Sequence, residues 1–381
     1  QPMGAKNSEN LLMVADSEHD ANMLYAVGMF VPDPFIYLKL GTRATIVMSD
    51  LEIDRARKQS QHCRESSLSQ CQRKLRVAGV KSPGLAEVGR LLLRERSVRR
   101  VTVPHNFPLG LAVELKRLGV TVQARRGGFF PQREQKSPEE VKKISAALMM
   151  AEVGMAEAMH VLRNSKIARG NRLLHHGVPL TSEKLRSVID TAIMQASGLA
   201  AHTIVAGGRQ GCDPHEAGYG PLRANEPIIL DIFPRSQKTG YFGDITRTVV
   251  RGRATEGVRR LYDTVLKGQQ LAFGKVRAGE LTQLPHQTVN DYFVAQGYKT
   301  ERRDGCMQGF FHGTGHGLGL EIHEAPRMSA ASTGRLKAGQ VVTVEPGLYY
   351  PGLGGVRLED VALVTASGAR NLTRFEKVLE L

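Results

Sequence analysis

"LDIFPRSQKTGYFGDITRT", residues 230–248, decides how the second half of this chain folds. Apolar ends flank a middle of proline, serine, lysine and glycine, so the stretch reads as two strands joined by a loop. Each strand carries an acid at its loop end: Asp231 leaves the first strand and Asp244 opens the second. A carboxylate that closes a run such as "PIILD" is costly to bury unless it is paired or coordinates a cation. The hairpin therefore places two acids where one ladder can bring them together.

Working outward, further strands are expected over 227–233, 244–250, 340–350 and 359–365, with helices near 181–197, 255–275 and 282–296. Ser137 as N-cap, Pro138 in the first turn and Glu140 three residues past the cap form a capping box. The helix it opens carries Val141, Ile144, Ala147, Leu148, Ala151 and Met155 at helical spacing, its methionines reading as core filler. These elements make an α+β domain with mostly hairpin connections. Upstream, "FIYLKL" and "RATIVMS" flank Gly41 and Thr42 as a hairpin in an α/β region. "ARRGGFFPQREQKSPEE" (124–140) interrupts the pattern as a linker would. The expected domains are 1–130 and 131–381.

Composition narrows the class. With 381 residues, two domains are the starting expectation. A hydrophobic content of 41% with 23% charged residues is that of an ordinary globular protein, and no uninterrupted apolar run approaches the ~18 residues of a membrane span. "QPMGAKNSENLLMV" lacks the basic head and apolar core of a signal peptide, so a cytoplasmic location is expected. Cys63, Cys71, Cys212 and Cys306 are too scattered for a disulfide framework or a zinc pair, and reduced thiols are expected. The net charge of +15 is concentrated in runs such as "RKLRVAGVK" (73–81), "RERSVRR" (94–100) and Arg125-Arg126. No aromatic interleaving or recognised signature accompanies them, so nucleic acid is not the expected partner. P-loop and dinucleotide fingerprints are missing too, which argues against a nucleotide cofactor.

"HGTGHGLGLEIHE" (312–324) gathers His312, His316 and His323 among four glycines. Histidine is the commonest metal ligand, and the glycines suggest a backbone that a substrate approaches closely. Glu345 in "TVEPG" and Glu359 in "RLEDVALV" repeat the predicament of the two aspartates. Any one of these acids alone would read as a strand-end cap or a salt bridge. Four carboxylates with an imidazole form a donor set for Mn, Co, Fe or Zn, able to bridge two ions about 3.5–4 Å apart. Such a pair acidifies water and polarises a carbonyl, which is the chemistry of hydrolysis.

The segments "GDITRT", "GHGLGLEIHE", "TVEPGLYY" and "VRLEDVALVT" resemble the pita-bread metallopeptidases, the fold of methionine aminopeptidase, aminopeptidase P and prolidase, over roughly residues 136–381. The first domain is similar in size and position to the creatinase-type amino-terminal domain. The resemblance implies a dinuclear peptidase that hydrolyses the Xaa-Pro bond of dipeptides or short peptides, with two divalent ions, manganese first and cobalt, zinc or iron as alternatives. It implies that Asp231 chelates one ion, that His316 and Glu345 hold the other, and that Asp244 and Glu359 bridge both. Glu345 would also shuttle a proton. His323 and His215 correspond to substrate-contacting histidines and His312 to a further one. Thr246 is expected to orient the ligands by an outer hydrogen bond, and Arg357 to pair with a nearby carboxylate. The two aspartates stand thirteen positions apart, about two more than the family spacing; an even insertion leaves both facing one side. The loop 234–242 should then bulge from the hairpin. A homodimer is expected from the same resemblance. Alternatives keep the fold and change the chemistry, to a lyase or C–N hydrolase, or lose catalysis in a binding protein.

Overall fold

The computed structural model describes residues 9–381. Residues 1–8 of the stretch read above for a signal sequence lie outside the described residues. The chain divides into two compact units, Gln1–Pro131 and Gln132–Leu381.

The first unit is built on a six-stranded mixed sheet. Its strands lie in the order Cys63–Ser67, Arg43–Met48, Phe35–Leu40, Leu11–Ala15, Arg100–Val103 and Thr121–Ala124. The hairpin read at Gly41-Thr42 is present, with Ile36 opposite Val47 and Leu40 opposite Arg43. Runs such as "LLMV" and "FIYL" are apolar at every position because both faces of the sheet are covered. Leu11, Met13, Phe35 and Tyr37 enter one cluster with the helix Ala21–Val27. Leu12, Val14, Ile36 and Leu38 enter another with the helices Leu85–Arg94 and Leu109–Arg117.

The stretch 124–140, read as a linker, holds the boundary between the two units at Pro131/Gln132, and it is packed on both sides of that boundary. Phe129 and Phe130 are buried in the first unit's core, Pro131–Glu134 forms a 3-10 turn, and Arg133 and Lys136 are buried on Glu324. Sequence pattern alone could not show that these cations have a partner nearly two hundred residues away.

The second unit repeats a scheme of one sheet and two helices. The helix Pro138–Asn164 starts at the expected capping box: the Glu140 N–H donates to Ser137 Oγ, and the Ser137 N–H to Glu140 Oε2. It is long and apolar enough to cross a bilayer, but half of its most apolar window is buried inside the fold. All six positions read as its core face are buried. With the helix Ser182–Gln195 it accompanies the sheet of Ile204–Gly207, Pro227–Ile232 and Ile245–Val250. The helices Glu256–Phe273 and Leu284–Ala295 share a second core with the sheet of Glu324–Met328, Gly315–Gly317, Val341–Val344, Asp360–Val364 and Ala369–Asn371.

Two expectations change. The run 340–350 is two strands in different sheets, Val341–Val344 and Gly347–Tyr350, broken at Glu345-Pro346, where proline cannot donate to a ladder. The loop 234–242 does not simply bulge: Arg235–Ser236 pairs with Gly198–Leu199, and the Ser236 N–H donates to Tyr241 O. Gly243 brings this loop home against the helix Pro138–Asn164, where an added Cβ would lie 2.5 Å from the Ala147 backbone.

A carboxylate-rich candidate metal centre

The hairpin delivers its two acids to one face. Asp231 lies directly opposite Thr246, so the two share a side of the sheet, and Asp244 lies two positions before Thr246 on that same side. The second sheet supplies His316 from the strand Gly315–Gly317 and Glu345 and Glu359 from the ends of its neighbours. Ligand-type atoms of Asp244, His316 and Glu359, all buried, lie within 4.8 Å of one another. Glu345 reaches the same place, its Oε1 3.3 Å from His316 Nε2. Asp231 turns one oxygen elsewhere, accepting from Arg357 Nη2 at 2.6 Å.

The histidine's tautomer follows from its contacts. His316 Nδ1 lies 3.1 Å from the Gly317 carbonyl, which can only accept, so Nδ1 carries the proton. The Nε2 lone pair then faces Asp244 Oδ2 at 3.8 Å and Glu345 Oε1 at 3.3 Å. Burial pushes the His316 imidazole down to about 4, so at neutral pH it is an uncharged acceptor facing acceptors. Such an arrangement calls for a proton or a cation between the acceptors, and His316 Nε2 brings no proton of its own.

The acids carry the same message. Burial, then Asp231 and Glu345, push Asp244 well above the usual carboxylate range. Burial, then Asp244, Glu345 and Asp231, do the same to Glu359. Burial raises Glu345 to about 7, with Arg357 opposing it. Glu359 Oε1 is buried with no hydrogen-bond partner, although Oε2 accepts from Thr246 Oγ1 at 2.7 Å. An orphaned buried carboxylate oxygen beside mutually repelling acids fits a divalent ion with oxygen and imidazole donors.

Supporting groups hold these donors in place. Thr343 Oγ1 accepts from the His316 N–H and donates to Glu345 Oε1, while the Glu345 N–H donates to Thr314 O. Arg247, fully buried, gives Nη1 to the carbonyls of both Thr246 and Glu359, Nη2 to Asp360 Oδ1 and Phe375 O, and Nε to Glu376 O. Neither Thr343 nor Arg247 stood out in the sequence; the signal in "DITRT" was a long cation inside an apolar strand.

The remaining histidines separate. His312 donates from Nδ1 to Gly313 O at 2.7 Å, so its Nε2 accepts from the Tyr349 hydroxyl at 2.8 Å. That hydroxyl oxygen in turn accepts from Arg357 Nη1 at 3.0 Å. Both nitrogens are therefore engaged inside the protein. Burial, then Arg357, depress His312 to about 3, and it stays neutral. Tyr349 was invisible as a site residue, and its hint was a hydroxyl in the otherwise buried "GLYY". Burial would lower Arg357, but Tyr349 and Asp231 outweigh it and keep the guanidinium charged. His323 and His215 are exposed; the His323 ring stands edge-on to His316 at 4.4 Å, and burial of part of the ring lowers its pKa to about 4. Arg327 is the cross-strand partner of His316 and exposed beside these rings. Glycines at 315 and 317 serve the fold, correcting their reading as substrate clearance: added Cβ atoms would lie 2.0 Å from Thr343 O and 2.2 Å from Ala325 O.

The sequence pattern of metallopeptidase family M24 matches residues 142–366, more than half of the chain and the whole of this centre. The chain belongs to metallopeptidase family M24. This M24 chain is 27% identical over 384 residues to a Xaa-Pro dipeptidase of Pyrococcus horikoshii, covering 98% of this chain and 95% of that protein. It is 37% identical over 185 residues to a Xaa-Pro dipeptidase of Pyrococcus furiosus, an alignment spanning 47% of this chain and 49% of the relative. A Xaa-Pro dipeptidase structure from Bacillus anthracis superposes with a TM-score of 0.82 at 22% identity over 98% of this chain and 95% of that one, and the fold is the pita-bread fold.

Proposed function

We propose that this M24 metallopeptidase hydrolyses the Xaa-Pro bond of dipeptides or short peptides. The observation that carries the reading is the buried Asp244–His316–Glu359 cluster, whose ligand-type atoms all lie within 4.8 Å of one another. The relatives named Xaa-Pro dipeptidase support the substrate class. Asp231, Asp244, His316, Glu345 and Glu359 would hold two divalent ions, manganese in first place. Bound there, the ions supply Lewis acidity toward the carbonyl and an acidified water as nucleophile.

The chain's own groups do the rest. Glu345, about one fifth exposed, is the most open of the five site residues, which suits its carboxylate to proton transfer to and from a bound substrate. Its carboxylate takes the proton of the attacking water and returns it to the proline nitrogen as the amide breaks. Neutral His323, and His215 from its loop, are free to donate to the amide and its tetrahedral oxygen. His312 contributes through Tyr349 and Arg357, fixing Asp231 rather than gripping substrate. Arg327 offers a guanidinium for the free carboxylate of a dipeptide, which favours the shorter substrate.

Hydrolysis of Ala-Pro against Ala-Pro-Ala, after chelation and then with Mn, Co or Zn restored, tests this. Metal-dependent cleavage with Ala-Pro preferred is expected. Full cleavage in the chelated protein, or none with metal restored, would overturn it.

A further inference from the structure

All the site residues named above lie in the second unit, and the first carries a concave polar site of its own. A pocket of about 330 Å³ opens where the helices Leu68–Val77 and Leu85–Arg94 leave one end of the sheet uncovered. Its apolar floor includes Leu38, Leu40 and Leu92; five cations, Arg43, Arg57, Arg64, Lys74 and Arg96, stand around it with two acids, Glu65 and Glu95. Both acids are already engaged. Glu65 accepts from Arg57 Nε at 3.0 Å, and Glu95 lies 3.5 Å from Lys74 Nζ. Arg57 is further occupied by Asp54 at 2.8 Å.

Arg43 on one strand, Arg64 on its neighbour and Arg96 in the turn after the helix Leu85–Arg94 line the same cavity. They make no side-chain ion pair within 4.0 Å among the described residues, although Arg64 is felt by the carboxylate of Glu65. Thr45 and Gln70 add a hydroxyl and an amide to the same wall. Five cations against two acids leave the concavity with an excess of positive charge that favours an anion, and the planar guanidinium fork matches a phosphate bidentately. The volume falls at the small end of ligand sites and suits a compact solute. An extended single strand would stack its bases on aromatic side chains, and none lines this pocket.

We infer that this pocket binds a small phosphorylated ligand carrying two or more negative charges, held by Arg43, Arg64 and Arg96. The site is independent of the metal centre and of the peptidase reading.

Calorimetric titration with inorganic pyrophosphate tests it, on protein freed of divalent ions, because pyrophosphate itself coordinates Mn, Co and Zn. Three proteins are compared: wild type, Arg43→Ala/Arg64→Ala/Arg96→Ala, and Lys116→Ala/Arg117→Ala/Arg126→Ala, which removes equal charge from exposed positions outside the pocket. Saturable binding is expected in the wild type and the control, weakened about tenfold or more in the pocket variant, with peptidase activity unchanged once metal is restored. All three arginines are exposed, so thermal melting should match wild type and exclude misfolding. Three results overturn the inference: no binding by wild type, binding that survives in the pocket variant, or equal loss in the control. So would arginine-dependent binding of a single-stranded oligonucleotide when pyrophosphate does not bind.

Discussion

At the residue scale the centre works by putting acceptors against acceptors, so single substitutions should act on ion and catalysis together. Asp244→Asn and Glu359→Gln should lower bound metal, read by elemental analysis, in proportion to lost turnover; either variant fully active at full metal content would refute the ligand set. Glu345→Gln removes the proton carrier and should cost about 10²–10⁴-fold in kcat, measured on metal-saturated protein. Tyr349→Phe leaves His312 Nε2 and Arg357 Nη1 without the hydroxyl they share. Burial without that bond should cost about 1–3 kcal/mol in a denaturant titration, and kcat should fall while metal content holds. Asp244, Glu345 and Glu359, which the fold brings beside His316, were legible because each is a carboxylate at the end of an apolar run, and His316 because it lies in a cluster of histidines. Thr343, Tyr349 and Arg247 were not, because hydroxyls and a long cation in strands have many harmless uses until their partners across the sheet are known.

At the element scale, strands and helices with strong periodicity read true. The helix Pro138–Asn164 even announces its first residue through its cap. Ser137→Ala should cost about 1 kcal/mol, checked by urea unfolding. Elements defined by distant partners were hidden. A proline split 340–350 into two sheets, and a two-residue strand inside 234–242 exists only because Gly198–Leu199 lies beside it. The glycines of "GHGLG" misled in another way. Flexibility was the local inference, whereas the close approach of Thr343 and Ala325 is a tertiary fact.

At the scale of the whole molecule, the centre sets the pH dependence of stability. Stripped of metal, the folded protein holds Glu345 near 7 against an ordinary value of 4.5, so between those pH values this carboxyl is more protonated than in the unfolded chain. By itself this shift makes stability fall as pH rises from about 4.5 to 7, while His312, His316 and His323, held neutral down to about 3, 4 and 4 in the folded chain, act in the opposite sense below about 6.5. Asp244 and Glu359 shift in the same sense as Glu345. In chelator, the melting temperature of wild type relative to Glu345→Gln should decline as pH rises across that range, and restored divalent ion should abolish the decline. The five bonds of Arg247 bear on handling the protein as well. Two of its acceptors are carbonyls of the metal-site strands, and two more are the carbonyls of Phe375 and Glu376, after which Leu379 and Leu381 are laced to Val250. Residues 375–381 are thus a hasp on the centre. A protease nick or an affinity tag that loosens them would show up as an enzyme that loses its metal on a desalting column.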